Sequence, residues 1–516
     1  MNAMMNRKTG RRRALLYPVA ACCLLLMGTG CTVGPDYETP DLEVVPDAWQ
    51  NAAAADLADS SSTLEQWWTA FGDTLLDSLI VMARETSPDA AAAVGRIREA
   101  RAYHQIAGGL YYPQIGLEGG YNWSEVGENT ALGAIVAEEN NPGGNWEFGL
   151  GASWELDVFG RIRREREATG ALVQASIEDY RDVLVSLQAE VASAYVSIRT
   201  LLLRLEYARN NVESQRGTLD IVLAREDAGL VPLQDVTRAR SNLANTEASI
   251  PQFESELEVA RNTLAILLGL TPGSLDERLG LTPRIPDPST VIAVDIPAEL
   301  LRRRPDVRRS ERELAAQTAQ IGVATADLYP SFSLSGVLSV QGVNFSDLGD
   351  AGNLGWSLFP GVQWNLFSGG RIRGRIKVEE AQTEQRLAAY EKTVLRALAE
   401  VENTMVALRQ EELRRGLLLT AVEASQQSVE LVHTQYISGL IDFQSYLDTQ
   451  RTLFDQQDQY AVSQGRVVGN LIELNRALGG GWSLDDPDPD IRAEGQTMAA
   501  KGDPATENTA QQEEVD

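Results

Sequence analysis

The sequence predicts a mainly α chain with a membrane β-barrel part, internally duplicated. Three observations carry this expectation. The stretches "WELDVFGRIR" at 154–163 and "WNLFSGGRIR" at 364–373 share Trp-x-Leu-x-x-x-Gly-Arg-Ile-Arg and stand 210 positions apart. Within each copy the hydrophobic period switches from helical to two and back to helical. Beyond residue 31, no stretch offers the roughly 20 apolar residues of a membrane helix, so entry into lipid falls to strands or to an attached lipid.

The chain opens on Arg7, Lys8, Arg11, Arg12 and Arg13, followed by the acid-free run "ALLYPVAACCLLLMGTG" that stops at Cys31. Basic residues before a short apolar run read as a secretory signal peptide over 1–30, too short to persist as a membrane anchor. Small residues before a cysteine at its end resemble a bacterial lipobox, in which the cysteine is acylated and becomes the mature N-terminus. "GTGC" places that lipid on Cys31; "VAAC", ending at Cys22, fits the lipobox itself better but leaves an apolar core of only about seven residues. Two or three acyl chains hold a protein on a membrane where one is marginal. The cysteines are Cys22, Cys23 and Cys31, so a mature chain beginning at Cys31 forms no internal disulfide. Without residues 1–30 the chain has 40 basic against 73 acidic residues, a formal charge of −33, which argues against nucleic acid as a partner.

The repeat runs ungapped from 154–269 onto 364–479, and "AGLVPLQD" (228–235) falls on "SGLIDFQS" (438–445). Upstream, "SPDA…LYYP" (87–113) matches "RPDV…DLYP" (304–330) at an offset of 217. The copies are therefore 88–269 and 305–479, joined by a linker 270–304 and flanked by 31–87 and 480–516. Each copy begins with Ala/Arg/Glu/Gln-rich residues behind a first-turn proline, Pro88 or Pro305, which reads as a helix of about six turns. A hairpin follows, over about 113–158 and 330–368. Trp146, Phe148, Leu150, Ala152, Trp154, Leu156 and Val158 alternate with polar or small residues, and Leu354, Trp356, Leu358, Val362, Trp364 and Leu366 do the same. Their partner strands carry Ile115, Leu117, Tyr121 and Trp123, and Phe332, Leu334, Leu338 and Val340.

After Gly160 and Gly370 the period turns helical over about 161–228 and 371–438. Tyr180, Leu184, Leu187, Val191, Ala194, Ile198, Leu201, Leu205, Ala208 and Val212 form a coiled-coil seam on a helix on the order of 100 Å long. Return helices over about 232–268 and 442–478 are too short to reach the hairpin again. The six-turn helix, stacked end to end with the return helix, supplies the missing length.

Four strands cannot close a barrel, and an open edge in lipid is prohibitive, so strands in a membrane require an oligomer. A dimer gives eight strands and a trimer twelve. Trp123, Trp146 and Trp364 at strand ends resemble an aromatic girdle, and the small, polar opposite face resembles a water-filled lumen.

"CTVGPDYETP" (31–40), "IPAELLRRRPDV" (296–307) and "ALGGGW" (477–482) resemble, in order, the outer-membrane lipoproteins of bacterial tripartite efflux, the TolC-like outer-membrane factors of the OprM/NodT type. The resemblance covers essentially 31–482. It implies a homotrimer in the outer membrane of a Gram-negative bacterium: a 12-stranded β-barrel continued by a 12-helix periplasmic α-barrel, with an equatorial domain made from 36–86 and 270–304. It also implies a periplasmic adaptor and an inner-membrane RND-type transporter as partners. Thr32 after the lipidated cysteine is consistent with sorting to the outer membrane.

No enzyme site and no cofactor beyond the lipid on Cys31 is expected. His104 and His433 lie inside predicted helices, without a nucleophile elbow, phosphate loop or metal spacing beside them. Gly229 and Gly439 read as helix ends, Pro232 and Asp442 as first-turn residues. Helix geometry leaves Leu230, Val231, Leu440 and Ile441 as apolar residues exposed at a tip, and the resemblance assigns Gly229, Leu230, Val231, Gly439, Leu440 and Ile441 to adaptor contact. It also sets Asp448 and Ser445 at the pore constriction, where three carboxylates around one axis would favour cations; the plainer reading of Asp448 is an i,i+3 pair with Arg451. Gly160, Arg161, Gly370 and Arg371 mark the strand-to-helix junction. The acidic tail 484–516 reads as disordered. The expected function is a passive exit duct for small molecules such as drugs. The alternatives are an exit duct for type I protein secretion and a non-conducting periplasm-spanning tether.

Overall fold

The computed structural model describes residues 31–41, 46, 48–51, 64–124, 143–286 and 303–483. The expected signal peptide, the acidic tail and much of the linker 270–304 lie outside these residues. In chain order the elements are α1 (Thr74–Thr86), α2 (Pro88–Gly109), β1 (Gln114–Ser124), β2 (Gly143–Leu156), α3 (Arg161–Asp227), α4 (Leu233–Leu267) and α5 (Asp276–Leu279). The second copy follows with α6 (Pro305–Ala326), β3 (Ser331–Gly342), β4 (Leu354–Gln363), α7 (Arg371–Ile437) and α8 (Phe443–Ala477). Helices α3 and α7 have 67 residues each, and α4 and α8 have 35 each, so the duplication in sequence is one of structure.

Two compact units divide the chain. The first comprises Met1–Pro40, Glu99–Ala175 and Glu311–Ala389, and contains the sheet. Its strands form one antiparallel meander, β1-β2-β3-β4, in which β2 also pairs with β3 and so joins the hairpins of the two copies edge to edge. Two strand ends fall short of the alternation read from the sequence. Strand β2 stops at Leu156, where the Val158 amide turns back onto the Leu156 carbonyl, and β4 stops at Gln363, where Leu366 turns onto Trp364. These i→i+2 turns break the ladder although the apolar period runs on through them.

The second unit comprises Asp41–Arg98, Ser176–Ser310 and Tyr390–Asp516. Its core gathers Leu76, Leu79 and Ile80 of α1, Ile97 of α2, Leu264 of α4 and Ile472 of α8 around the α3 seam. Eight of the ten seam residues are buried there, Ala194 is half-buried against it, and Val212 is buried further along the helix. Asp73 caps α1 by accepting from the Leu75 and Leu76 amides and also accepts the Tyr195 hydroxyl at 2.6 Å, tying the short helix to the long one.

The short helices meet end to end. In the first copy the Thr86 hydroxyl donates to the Leu268 carbonyl at 2.7 Å. The second copy uses Arg304 instead. Its guanidinium donates to both Asp306 oxygens, to Glu400 and to the Ala477 carbonyl at 2.8–3.0 Å. Gly269 and Gly479, both at φ +68°, end α4 and α8 in the left-handed conformation that suits glycine. Trp482 of "ALGGGW" is buried beside the Arg181 and Arg308 guanidinia, which lie 4.5 and 5.6 Å from its ring centre.

Candidate functional site

The register of the sheet decides which residues share a face. Leu117 lies opposite Leu150, Leu150 opposite Leu338, and Leu338 opposite Trp356. Directly paired residues point the same way, so Ile115, Leu117, Tyr121, Trp123, Trp146, Phe148, Leu150, Trp154, Phe332, Leu334, Val340, Leu354, Leu358 and Val362 lie on one apolar face. Many of these side chains are exposed, Leu117 at 75 % and Trp356 at 79 %. The opposite face carries Glu118, Glu147, Ser153, Ser333, Ser335, Ser339, Gln341 and Ser357 among glycines, with Val337 and Phe359 as its large apolar members. There Gln341 donates to Glu147 at 2.7 Å. A large apolar surface opposite a hydrophilic one is the pattern of strands with lipid on one side and water on the other.

The repeated tryptophan has a repeated partner. Trp154 Nε1 donates to the Tyr111 carbonyl at 2.9 Å, and Trp364 Nε1 to the Leu328 carbonyl at 3.0 Å. Tyr111 and Leu328 are equivalent positions in the two copies, so each strand end is pinned to the end of the helix before its hairpin. Past the pin, Gly160 at φ +81° and Gly370 at φ +85° turn the chain into α3 and α7. Arg161 pairs with Glu155 through two bonds of 2.7 and 2.9 Å, and the hydrogen bond to that carboxylate holds its guanidinium pKa above the ordinary arginine value. Asp157, in the sequence one polar member of the strand alternation among others, accepts from the Ile162 and Arg163 amides and so caps α3. In the second copy the equivalent residue is Phe367, 92 % exposed. Cys31 is exposed, and Thr32 lies directly against Gly160.

At the opposite ends of the long helices, Gly229 and Gly439 close α3 and α7 at φ +72° and +73°, each leading into an exposed leucine, Leu230 at 72 % and Leu440 at 76 %. Val231 and Ile441 depart from the expectation of exposure. Both are half-buried against a local core of Val222, Val236, Tyr436, Phe443, Tyr446 and Leu447. The turn rotates successive residues, so one apolar side chain of each pair faces water while the next folds under it. Arg225 closes this end from one long helix to the other, donating to the Tyr436 and Ile437 carbonyls at 2.9 and 2.6 Å. Cations at a helix C-terminus are favoured by the dipole. Arg225 escaped the sequence reading because its partner is a helix end 211 residues away.

Asp448 and Ser445 both lie exposed on the first turns of α8. The Ser445 amide donates to Asp442, whose carboxylate pKa this bond lowers. Asp448 accepts from Gln444 at 2.9 and 3.0 Å, while Arg451 stands 3.8 Å away. Arg451 is drawn to the Asn242 side-chain oxygen at 2.7 Å instead, so the i,i+3 pair is long and exposed and adds little. His104 bonds Thr169, and His433 lies against the Tyr446 ring, so both are used in packing.

The sequence pattern of the family described as outer membrane efflux protein matches residues 79–270 and 296–480, one segment for each copy. The pyoverdine export outer membrane protein OpmQ of Pseudomonas putida is 31% identical over 469 residues, covering 90% of this chain and 98% of that protein. The cation efflux system protein CusC of Escherichia coli is 29% identical, covering 89% and 98%. Among solved structures, the outer-membrane channel OprN superposes with a TM-score of 0.81 at 35% identity, covering 88% of this chain and all of that one.

Proposed function

The chain belongs to the outer membrane efflux protein family, and from that premise we propose a finer reading of how its own residues serve the duct. It is the outer-membrane exit channel of a tripartite efflux pump in a Gram-negative bacterium. The finer reading is a homotrimer anchored by a lipid on Cys31, with the apolar face of the sheet toward lipid and the serine- and glycine-rich face toward a water-filled bore. Leu230 and Leu440, with Gly229, Gly439 and the supporting Val231 and Ile441, meet a periplasmic adaptor, which joins the duct to an RND-type transporter. Asp448 rings the constriction, and Ser445 lowers its charge relative to a double acidic ring. Small molecules such as drugs pass without recognition by the wall. Relatives whose names carry a siderophore and a cation fit such a conduit, since selectivity then belongs to the pump.

The observation that carries this reading is an incomplete sheet, apolar on one face, leading directly into 67-residue helices that end in exposed leucines. A second is consistent with oligomerisation: α7 exposes Leu413, Leu417 and Leu431 at 57–74 % along one helix face. Single-channel recording from the purified oligomer in a planar bilayer tests the duct. We expect rare openings in the unaltered protein and more frequent, less cation-selective ones in Asp448→Ala; silence from both removes the conduit. Photocrosslinkers at Leu230 and Leu440 test the tip, and the expected product in cells is a complex with the adaptor.

A further inference from the structure

The two copies of the repeat are not used alike at their junctions. In the first, Arg164 is 2 % exposed although it is an arginine one turn into α3. Its Nε donates to the Val33 carbonyl at 3.1 Å, one terminal nitrogen reaches the Gly34 carbonyl at 3.2 Å and Asp36 at 2.7 Å, and the other pairs with Glu167 at 2.8 Å. The Val33 amide donates in turn to the Phe159 carbonyl at 3.2 Å. Backbone crowding completes the contact: a Cβ on Gly34, which sits at φ +92°, would stand 2.4 Å from Gly322 Cα, and one on Gly322 would stand 2.7 Å from Arg164 Cγ. Further along, Tyr37 donates to Glu311 at 3.2 Å under the Arg312 guanidinium.

The second copy lacks these means. Gly374 stands where Arg164 would be, and Gln105 where Gly322 would be. A Cβ on Gly374 or Gly370 meets nothing within 4 Å. A duplicated chain offers two equivalent junctions, and substitutions at two positions make one of them a receptor for the residues that follow Cys31.

We infer that Arg164, Gly34 and Gly322 form a clasp that docks residues 32–37 onto the first junction and fixes the anchor residue beside the point where β2 becomes α3. The tether is thereby shortened. A free segment from Cys31 to Gln50, whose amide is held by Glu402, would span up to roughly 60 Å when extended, whereas the clasp holds Thr32, the residue next to Cys31, against Gly160. The placement of acyl chains rests on the lipidation of Cys31; the docking of the segment does not.

Amide hydrogen exchange on the purified oligomer, read by mass spectrometry, tests the clasp. Arg164→Gly and Gly322→Gln each import the residue of the other copy, and Gly34→Ala alters the exposed segment alone. In all three we expect residues 32–37 to exchange at least about tenfold faster, with β2 and α4 unchanged. Arg164→Gly removes a buried side chain, so Gly34→Ala guards against a general loss of folding. Free exchange of the segment in the unaltered protein, or undiminished protection in Gly34→Ala and Gly322→Gln, overturns the inference. The mass of the N-terminal peptide from the same samples reads acylation separately. A protected segment without a lipid keeps the clasp and removes the anchor, and an acylated but unprotected segment does the reverse.

Discussion

Tyr195 is fully buried and donates to a carboxylate that already caps a helix, so its ionisation would set two charges against each other in the core of the second unit. Burial, reinforced by the bond to Asp73, pushes its pKa up to about 12. The unfolded phenol titrates near 10, so the folded state holds the proton longer. The stability from this site is complete below pH 10 and is lost as pH rises through 12, a loss on the order of 2 kcal/mol. Thermal melts from pH 9 to 12 should show Tyr195→Phe less stable than the parent at pH 9 and level with it or better at the alkaline end. Arg304 gives the second prediction at this scale. It is 7 % exposed and serves two carboxylates and a helix-end carbonyl, so Arg304→Ala strands Asp306 and should cost about 3 kcal/mol, read as a lower melting temperature of the solubilised protein. The "RRRPDV" stretch was visible in the sequence, but the role of its third arginine was not, because Glu400 and Ala477 lie 96 and 173 residues away. Arg164 is hidden in the sequence for the same reason, and its contrast with Gly374 in the second copy is what marks it.

The elements were easier to read than their ends. Periodicity over tens of residues averages out local noise, so the 68-residue helical stretches between Gly160 and Gly229 and between Gly370 and Gly439 correspond to helices of 67. Ends depend on single bonds, and there the second copy turns two residues earlier than the first. Pro251 lies within α4, where the helix runs on through it although the proline supplies no amide to the preceding turn. The junction glycines make a controlled comparison between the copies. Both have positive φ, so alanine at either costs roughly 1–2 kcal/mol in backbone strain. Only at Gly160 does the added Cβ also strike a neighbour, Thr32 at 2.9 Å. Gly160→Ala should therefore lower the melting temperature more than Gly370→Ala, and only the former should speed exchange in residues 32–37. Equal effects on both measurements would mean that the two junctions are alike after all.

For the molecule as a whole, the governing fact is that, among the described residues, its sheet has two free edges. Strands β1 and β4 have 11 and 10 residues, and among the described residues each is hydrogen-bonded on one side. About half the backbone groups of each point away from that neighbour, roughly ten per edge, and each costs several kcal/mol if left unpaired in hydrocarbon. That sum exceeds the about 5–15 kcal/mol that holds a domain folded, so a single chain cannot be the membrane-inserted form. An even number of antiparallel strands makes the remedy simple: β4 of one copy and β1 of the next run in opposite directions, so adding chains continues the same meander until it closes. Closure with three copies gives twelve strands, and the exposed leucines of α7 gain a neighbour in the same step. Cysteines at Leu117 and Leu358, on the apolar face of the two edge strands, should be joined between chains by a short bifunctional thiol reagent in outer-membrane vesicles. Either substitution alone should give no ladder. The expected product is a three-chain species that stops there, because a closed ring has no fourth position. A limit at two chains would mean an eight-stranded barrel, and an unlimited ladder would mean that the edges do not close on one another.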